Sequence, residues 1–297
     1  MVDVREVGDE TALLGECPVW SSAEQVLYWA DIDGRKIHRY DPTTEASTTR
    51  ELRGRPGSFA LSRFPGRLLV AQEFQLLWLD WETGHEMLFA DLEDPATGNR
   101  INDGRCDPAG RFVVGSMYPD GAAGKHQGFL YQVEGYGEAE TWETAVGIPN
   151  GLVFDEERSR MYWADTLQSK IWQWDYDAST GIRRNKKVFF DYEAHPEIAG
   201  LPDGACLDAE GFYWSASVHG WAVTRIDPDG NVDRQIELPV AMPTMPAFGG
   251  ENLETLFVTS IGQGVGDSEL SRDGYQPGAL LALEPGVRGV AEPVFAG

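Results

Sequence analysis

Three cysteines in 297 residues, with no CxxC spacing among them, exclude a disulfide framework and a zinc knuckle. Cys17, Cys106 and Cys206 are expected as reduced thiols, which suits a cytoplasm. Basic residues are also scarce, with 24 Lys and Arg against 48 Asp and Glu, for a net charge of −24. A phosphate-tracking surface needs clustered cations, so the balance argues against a nucleic-acid partner. The acidic excess favours solubility and raises the local cation concentration, without by itself making a metal site. No run approaches the roughly 18 apolar residues that span a bilayer, so no membrane partner is expected. The stretch "MVDVREVGDETALL" has no basic segment followed by an apolar one, so no signal peptide is expected. No GxSxG elbow and no HExxH motif is present. No segment sustains a 3.6-residue apolar period, which predicts little helix.

What the chain does have is aromatic residues and turn formers. Ten Trp, ten Tyr and 13 Phe stand among 34 Gly and 17 Pro, a mixture suited to many short strands. One pattern recurs: an aromatic-rich run, a polar break, a second run, then a turn. Copies are "VLYWADIDGRKIHRYDP" from Val26, "LLVAQEFQLLWLDWETG" from Leu68 and "RMYWADTLQSKIWQWDYDASTG" from Arg160. Further copies start at Arg111, Gly211 and Thr255. Their spacing, roughly 40 to 50 residues, is that of propeller blades. Each copy reads as a β-hairpin followed by Asp-Pro, Thr-Gly or Asp-Gly turn chemistry. The six units predict an all-β, six-bladed β-propeller with four-stranded antiparallel blades around a central channel. A large sandwich or barrel is the competing architecture. No Pro- or Ser-rich linker divides the chain, so residues 1–297 are expected to form a single propeller domain.

A second pattern lies just upstream of three hairpins: "RINDGRCDPAGRFVVG", "IPNGLVFDEERSRMYWAD" and "LPDGACLDAEGFYWSA". Each would supply the innermost strand of its blade, whose leading end opens on the channel. Asp103, Asn150 and Asp203 then face the axis, and Glu16 of "LGECPVW" holds the matching place in the first unit. Any single Asn-Gly or Asp-Gly is also a strong hairpin signal; four polar residues at matching repeat positions are harder to read as turns. Asp107, Asp155 and Asp208 precede turns and read as turn formers. Glu16, Asn150 and Asp203 present oxygen, which suits Ca²⁺, Mg²⁺ or Mn²⁺. Three protein ligands would leave positions for water and substrate. Arg100 and Asn102 lie beside this ring, where Arg100 could bind a sugar hydroxyl or a developing oxyanion. His38 and His85 fall in outer hairpin positions and are expected at the surface. His126, His195 and His219 fall in loops near a channel mouth. Strand alternation points Cys17 away from the face of Glu16, into packing.

With these motifs together, and with "HQGFLY", "FGGENLETLFVTS" and "GVRGVAEPVFAG", the chain resembles the regucalcin and gluconolactonase-like sugar lactonase family from end to end. The resemblance implies one divalent cation in the channel, Ca²⁺, Zn²⁺, Mg²⁺ or Mn²⁺. It implies Glu16, Asn150 and Asp203 as metal ligands, with Asp203 also the catalytic acid/base. It implies Arg100 and Asn102 as substrate contacts, and Asp103 is grouped with them. Two departures stand out. Tyr118, Pro119 and Asp120 occupy the place of an acidic pair that touches the sugar in regucalcin. Cys17 stands where small residues are usual.

The expected activity is metal-dependent hydrolysis of a sugar lactone to its sugar acid, by a cytoplasmic monomer whose partner is that small molecule. Two alternatives remain open from sequence. One is an esterase or phosphotriesterase of the paraoxonase or diisopropyl-fluorophosphatase type. The other is a non-enzymatic Ca²⁺-binding propeller.

Overall fold

The computed structural model describes residues 2–263 and 270–297. Its strands form six four-stranded antiparallel sheets, the expected six-bladed propeller. Among the described residues there is no α-helix, only four short 3-10 turns. The innermost strands are Gly15–Ser21, Pro56–Leu61, Arg100–Cys106, Pro149–Asp155, Leu201–Leu207 and Pro243–Gly249. Five blades are built from consecutive strands. The sixth is closed by the N-terminal strand Val4–Thr11, which pairs with Ala279–Leu283 as its outer edge.

Burial within a blade follows from its position in the ring. Second strands such as Val26–Asp31 and Tyr213–Val218 are buried along their whole length, because both faces of a blade are covered by neighbouring blades. They are accordingly near-continuous apolar runs, without the alternation of a half-exposed strand. Outer strands such as Ala46–Glu51 and Ile182–Asp191 face solvent and are mostly polar. His38 corrects the surface expectation. It lies on the third strand of its blade, is only 1% exposed, stacks on Trp29 at 4.2 Å and hydrogen-bonds Thr49 Oγ1 through Nδ1 at 2.8 Å. A third strand still has a neighbour on each side, so "outer hairpin" does not mean "surface". His85 is exposed, as expected.

Aromatic side chains bridge adjacent blades, with pair geometries that add to simple area burial. Tyr28 meets Phe59 and Trp81 between the first and second blades. Trp142 meets Tyr176 between the third and fourth, and Tyr162 meets Tyr213 between the fourth and fifth. Trp214 meets Phe248 next, and Trp20 stacks on Phe257 where the ring closes. Between the second and third blades the C-terminal tail supplies the ring. Phe295 is fully buried there, 5.8 Å from Trp78 and 5.6 Å from Phe89. The tail is stitched down by Phe295 N–H to Leu61 C=O at 2.8 Å and Ala296 N–H to Gly110 C=O at 2.9 Å.

Candidate active site

Every innermost strand carries one irregularity of register near its leading end. The breaks fall between Glu16 and Val19, Pro56 and Ser58, Ile101 and Gly104, Asn150 and Val153, Pro202 and Ala205, and Pro243 and Pro246. In each case the inner strand has one residue more than its partner, which defines a β-bulge. A bulge suspends the alternation of faces, so neighbouring residues such as Asn102 and Asp103 can both serve the channel. The residue after two of the site side chains is left-handed, Cys17 at φ 47° and Gly151 at φ 56°. At Gly151 glycine is required twice over. A Cβ there would run into the Tyr213 hydroxyl and come within 2.8 Å of the Asp203 carbonyl. Asp103-Gly104, Asn150-Gly151 and Asp203-Gly204 thus lie at bulges inside strands and not in hairpin turns, whereas Asp33-Gly34 and Asp229-Gly230 do make hairpin turns. Cys17 packs as expected: its buried thiol lies 3.4 Å from the Phe59 N–H, and burial pushes its pKa up.

The bulges bring the sequence-derived residues together. Glu16, Arg100, Asn102, Asp103, Asn150 and Asp203 come from four blades and are all buried. Burial, then the charges of Asp203 and Asp103, raise the Glu16 carboxyl well above its ordinary range. Burial and the Asp103 charge push Asp203 up to about 8, against the Gly204 N–H, Arg100 and Asn150. Asp103 is raised by burial and partly held down by Arg105. One of its oxygens accepts from the Leu152 N–H at 3.2 Å, while the other is buried without a hydrogen-bond partner. Burial, followed by Arg55, lowers the Arg100 guanidinium to about 10.

Hydrogen bonds define what each side chain has left to offer. Arg100 Nη1 donates to Asn102 Oδ1 at 2.7 Å and to the Ile101 carbonyl at 3.0 Å. Asn102 Nδ2 donates to the Pro149 carbonyl and to Asn150 Oδ1, each at 2.9 Å. Both protons of the Asn102 amide are therefore spent, and toward a substrate it keeps only acceptor capacity. Asn150 Nδ2 donates to Thr166 Oγ1 at 2.9 Å. Thr166 was not singled out from sequence; no motif marks it, because it enters from a turn 16 residues beyond Asn150. Arg105 was also missed. Its charge acts on Asp103, and it is ion-paired with Glu292 of the C-terminal tail and hydrogen-bonded to the Ala205 carbonyl at 3.1 Å.

Among the described residues, none of the other candidates hydrogen-bonds to this buried set. Asp107, Asp155 and Asp208 cap turns, as their sequence context indicates. Asp107 accepts from Arg111 N–H at 2.8 Å, Asp155 from Arg158 N–H at 3.0 Å and Asp208 from Glu210 N–H at 2.9 Å. His195 is engaged with Glu197 at 2.9 Å, and His126 and His219 are exposed. Tyr118 is half-buried with Lys125 Nζ 3.6 Å above its ring, and Asp120 is exposed.

Among the described residues no group of three His, Cys, Asp or Glu side chains has the arrangement of a metal site. The channel set is mixed, pairing the carboxylates of Glu16 and Asp203 with the amide oxygen of Asn150. Its chemistry still fits a cation. Burial raises the carboxyls of Glu16, Asp103, Asp203 and Glu292 alike, and the repulsion of Asp103 adds to it at Glu16, Asp203 and Glu292. A divalent ion among them would offset that repulsion and favour the ionised forms. The unpartnered Asp103 oxygen points the same way.

Proteins similar to this chain cover it almost completely. A 6-deoxy-6-sulfogluconolactonase of Pseudomonas putida is 39% identical over 97% of both chains. A pentonolactonase of Haloferax volcanii is 35% identical, again over 97% of each. The solved structure of a calcium-binding protein, regucalcin, from Agrobacterium tumefaciens superposes with a TM-score of 0.90 at 30% identity, covering 100% of this chain and 98% of that one. Residues 14–262 match the SMP-30/Gluconolactonase/LRE-like region, and the chain belongs to that family.

Proposed function

We propose that this chain is a lactonase that hydrolyses a sugar lactone to its sugar acid, assisted by one divalent cation held by Glu16, Asn150 and Asp203. The observation that carries the reading is the burial of Glu16, Asp103, Asn150 and Asp203 together at the bulges of four inner strands, with Arg100 on the same strand as Asp103. Relatives named for lactone hydrolysis support it over nearly the full chain. A divalent cation, when bound, polarises an ester carbonyl and acidifies the water beside it.

The protein's own groups account for the remainder. Asp203, whose basicity burial and the Asp103 charge increase, takes a proton from the attacking water as its oxygen adds to the lactone carbonyl carbon. The ring C–O bond then breaks, and the same proton passes to the departing ring oxygen. Arg100 uses Nη1 to hold Asn102 and directs its remaining N–H groups at substrate oxygens. Asn102 accepts one sugar hydroxyl through Oδ1. Asp103 completes the polar wall. The three free, buried thiols support a reducing compartment, and a monomer in the cytoplasm is part of the same reading.

The test is a panel of five- and six-carbon aldonolactones, 6-deoxy-6-sulfogluconolactone, an aryl ester and a phosphotriester, followed with a pH indicator. Turnover of a sugar lactone that chelation abolishes and added cation restores is the expected outcome. Metal-saturated Asp203→Asn should lose kcat by about 10² or more, as for loss of a general base. Preference for the aryl ester or phosphotriester would replace the lactone assignment. Full lactonase activity after exhaustive chelation would remove the cation from it.

A further inference from the structure

A primary amide can present either its oxygen or its nitrogen to a site, and the two ends are nearly equal in size. For Asn150 the surrounding bonds remove the choice. Thr166 Oγ1 lies 2.7 Å from the Pro202 carbonyl, an obligate acceptor, so the threonine proton is committed there. Its lone pair must then take a donor from Asn150 at 2.9 Å, which identifies the facing atom as Nδ2. From the other side, the Pro149 carbonyl requires a donor from Asn102, and Arg100 requires an acceptor from it. Asn102 therefore turns Nδ2 toward Asn150, which must answer with Oδ1. Two carbonyls and one guanidinium fix both amides.

Thr166 is built rigidly into this position. It is buried and opens a 3-10 turn, Thr166–Gln168, capped by the Asp165 side chain. Asp165 also accepts from Gly147 N–H at 3.0 Å and Ile148 N–H at 3.1 Å, and Thr166 N–H donates to the Ile148 carbonyl at 3.0 Å. The turn is thus bolted to the segment that leads into Asn150. Through Pro202 it also touches the residue before Asp203, in the next blade.

We propose that Thr166 is a positioning residue that locks the Asn150 amide with Oδ1 toward the channel and ties it to the strand bearing Asp203. In its consequence for cation binding the proposal rests on the functional reading above. Threonine oxygen is needed as donor and acceptor at once; valine has the same shape and can do neither.

The experiment compares the parent with Thr166→Val, Thr166→Ala and Thr166→Ser by calorimetric titration with Mn²⁺ and Ca²⁺, after circular dichroism has shown which variants are folded. Thr166→Val or Thr166→Ala should weaken cation affinity about tenfold or more, the usual cost of losing a hydrogen bond that orients a ligand. Thr166→Ser should restore it, and kcat should fall more than KM rises. A purely structural role would lower the melting temperature in EDTA and leave the affinity unchanged, which would overturn the proposal. Failure of Thr166→Ser to restore affinity would also overturn it. Absence of cation binding by the parent would defeat the metal assignment alone. Thr166 would then be judged by the Asn150 side-chain amide proton resonance in EDTA, identified by its loss in Asn150→Asp. Slow exchange in the parent and fast exchange in Thr166→Val supports the lock; equal exchange rejects it.

Discussion

Asp203 ionises only against the desolvation of its site and the nearby charge of Asp103, and Glu16 faces the same opposition from Asp203 and Asp103. Their folded-state pKa values are raised, so the folded chain holds protons that the unfolded chain releases near pH 4. Stability from this source is complete below about pH 4 and is lost as pH rises toward 8. In EDTA the melting temperature should fall between pH 5 and pH 8, and saturating divalent cation should flatten that slope. Melting curves at both pH values with and without cation check it; an EDTA slope unaffected by Asp203→Asn would locate the titrating group elsewhere. The candidate carboxylates were legible in the sequence because each stands near the head of the inner strand of its repeat, although the registers stagger them: Glu16 is the last paired residue before its bulge, while Asp203 and Asp103 lie inside theirs. Their hydrogen-bond allocation was not. Whether Asn102 has a proton to give a sugar depends on Pro149 and Asn150, which reach it only through the fold. Thr166 left no signal for a similar reason: its partners lie in two different blades.

The bulge that re-aims each inner strand is one device used six times, and glycine bears its cost most clearly at Gly151. Alanine there would be left-handed at φ 56° and its methyl would meet the Tyr213 hydroxyl and the Asp203 carbonyl. Left-handed backbone costs an L-residue roughly 1–2 kcal/mol, and overpacking adds roughly 1–3 kcal/mol. Gly124 is left-handed too, at φ 62°, but a Cβ there meets nothing within 4 Å. Gly151→Ala should therefore destabilise the protein more than Gly124→Ala in urea titrations. It should also reduce lactone turnover beyond what its stability loss explains, because the displaced atoms belong to Asp203. Equal stabilities and equal activities for the two variants would show that the bulge relaxes around the methyl. From sequence, "PNG" and "PDG" carry both a turn signal and a site signal. Local propensity cannot separate a hairpin turn from a bulge, since both ask for a residue tolerant of positive φ; repetition at matching positions was the separating clue.

The ring is closed at two places that depend on the chain's ends. Repetition made six blades legible, but not that the last is completed by Val4–Thr11, a polar strand whose partner lies more than 260 residues away. Nor did "GVRGVAEPVFAG" reveal that its phenylalanine fills the gap between two blades or that its glutamate pairs with the buried Arg105. Glu292 is 12% exposed and Arg105 8%, and burial works against the charge of both. The pair borders a cavity of about 440 Å³, lined by Arg105, Cys106, Asp155, Leu207, Asp208 and Glu292 among others. Removing one partner of a buried pair strands the other charge, at a cost of about 3–5 kcal/mol, while replacing both by apolar side chains is often neutral. Glu292→Ala should accordingly lose about that much in urea denaturation, and Arg105→Met combined with Glu292→Met should recover only part of it, because Asp103 loses its counter-charge and the Ala205 carbonyl its donor. The cavity supplies the competing outcome. If water enters from the cavity and solvates the guanidinium, Glu292→Ala will cost less than about 1 kcal/mol, as for an exposed pair. In that case the tail holds the ring through Phe295 and its backbone bonds, and Phe295→Ala becomes the more damaging change, at about 3–5 kcal/mol for a buried phenylalanine.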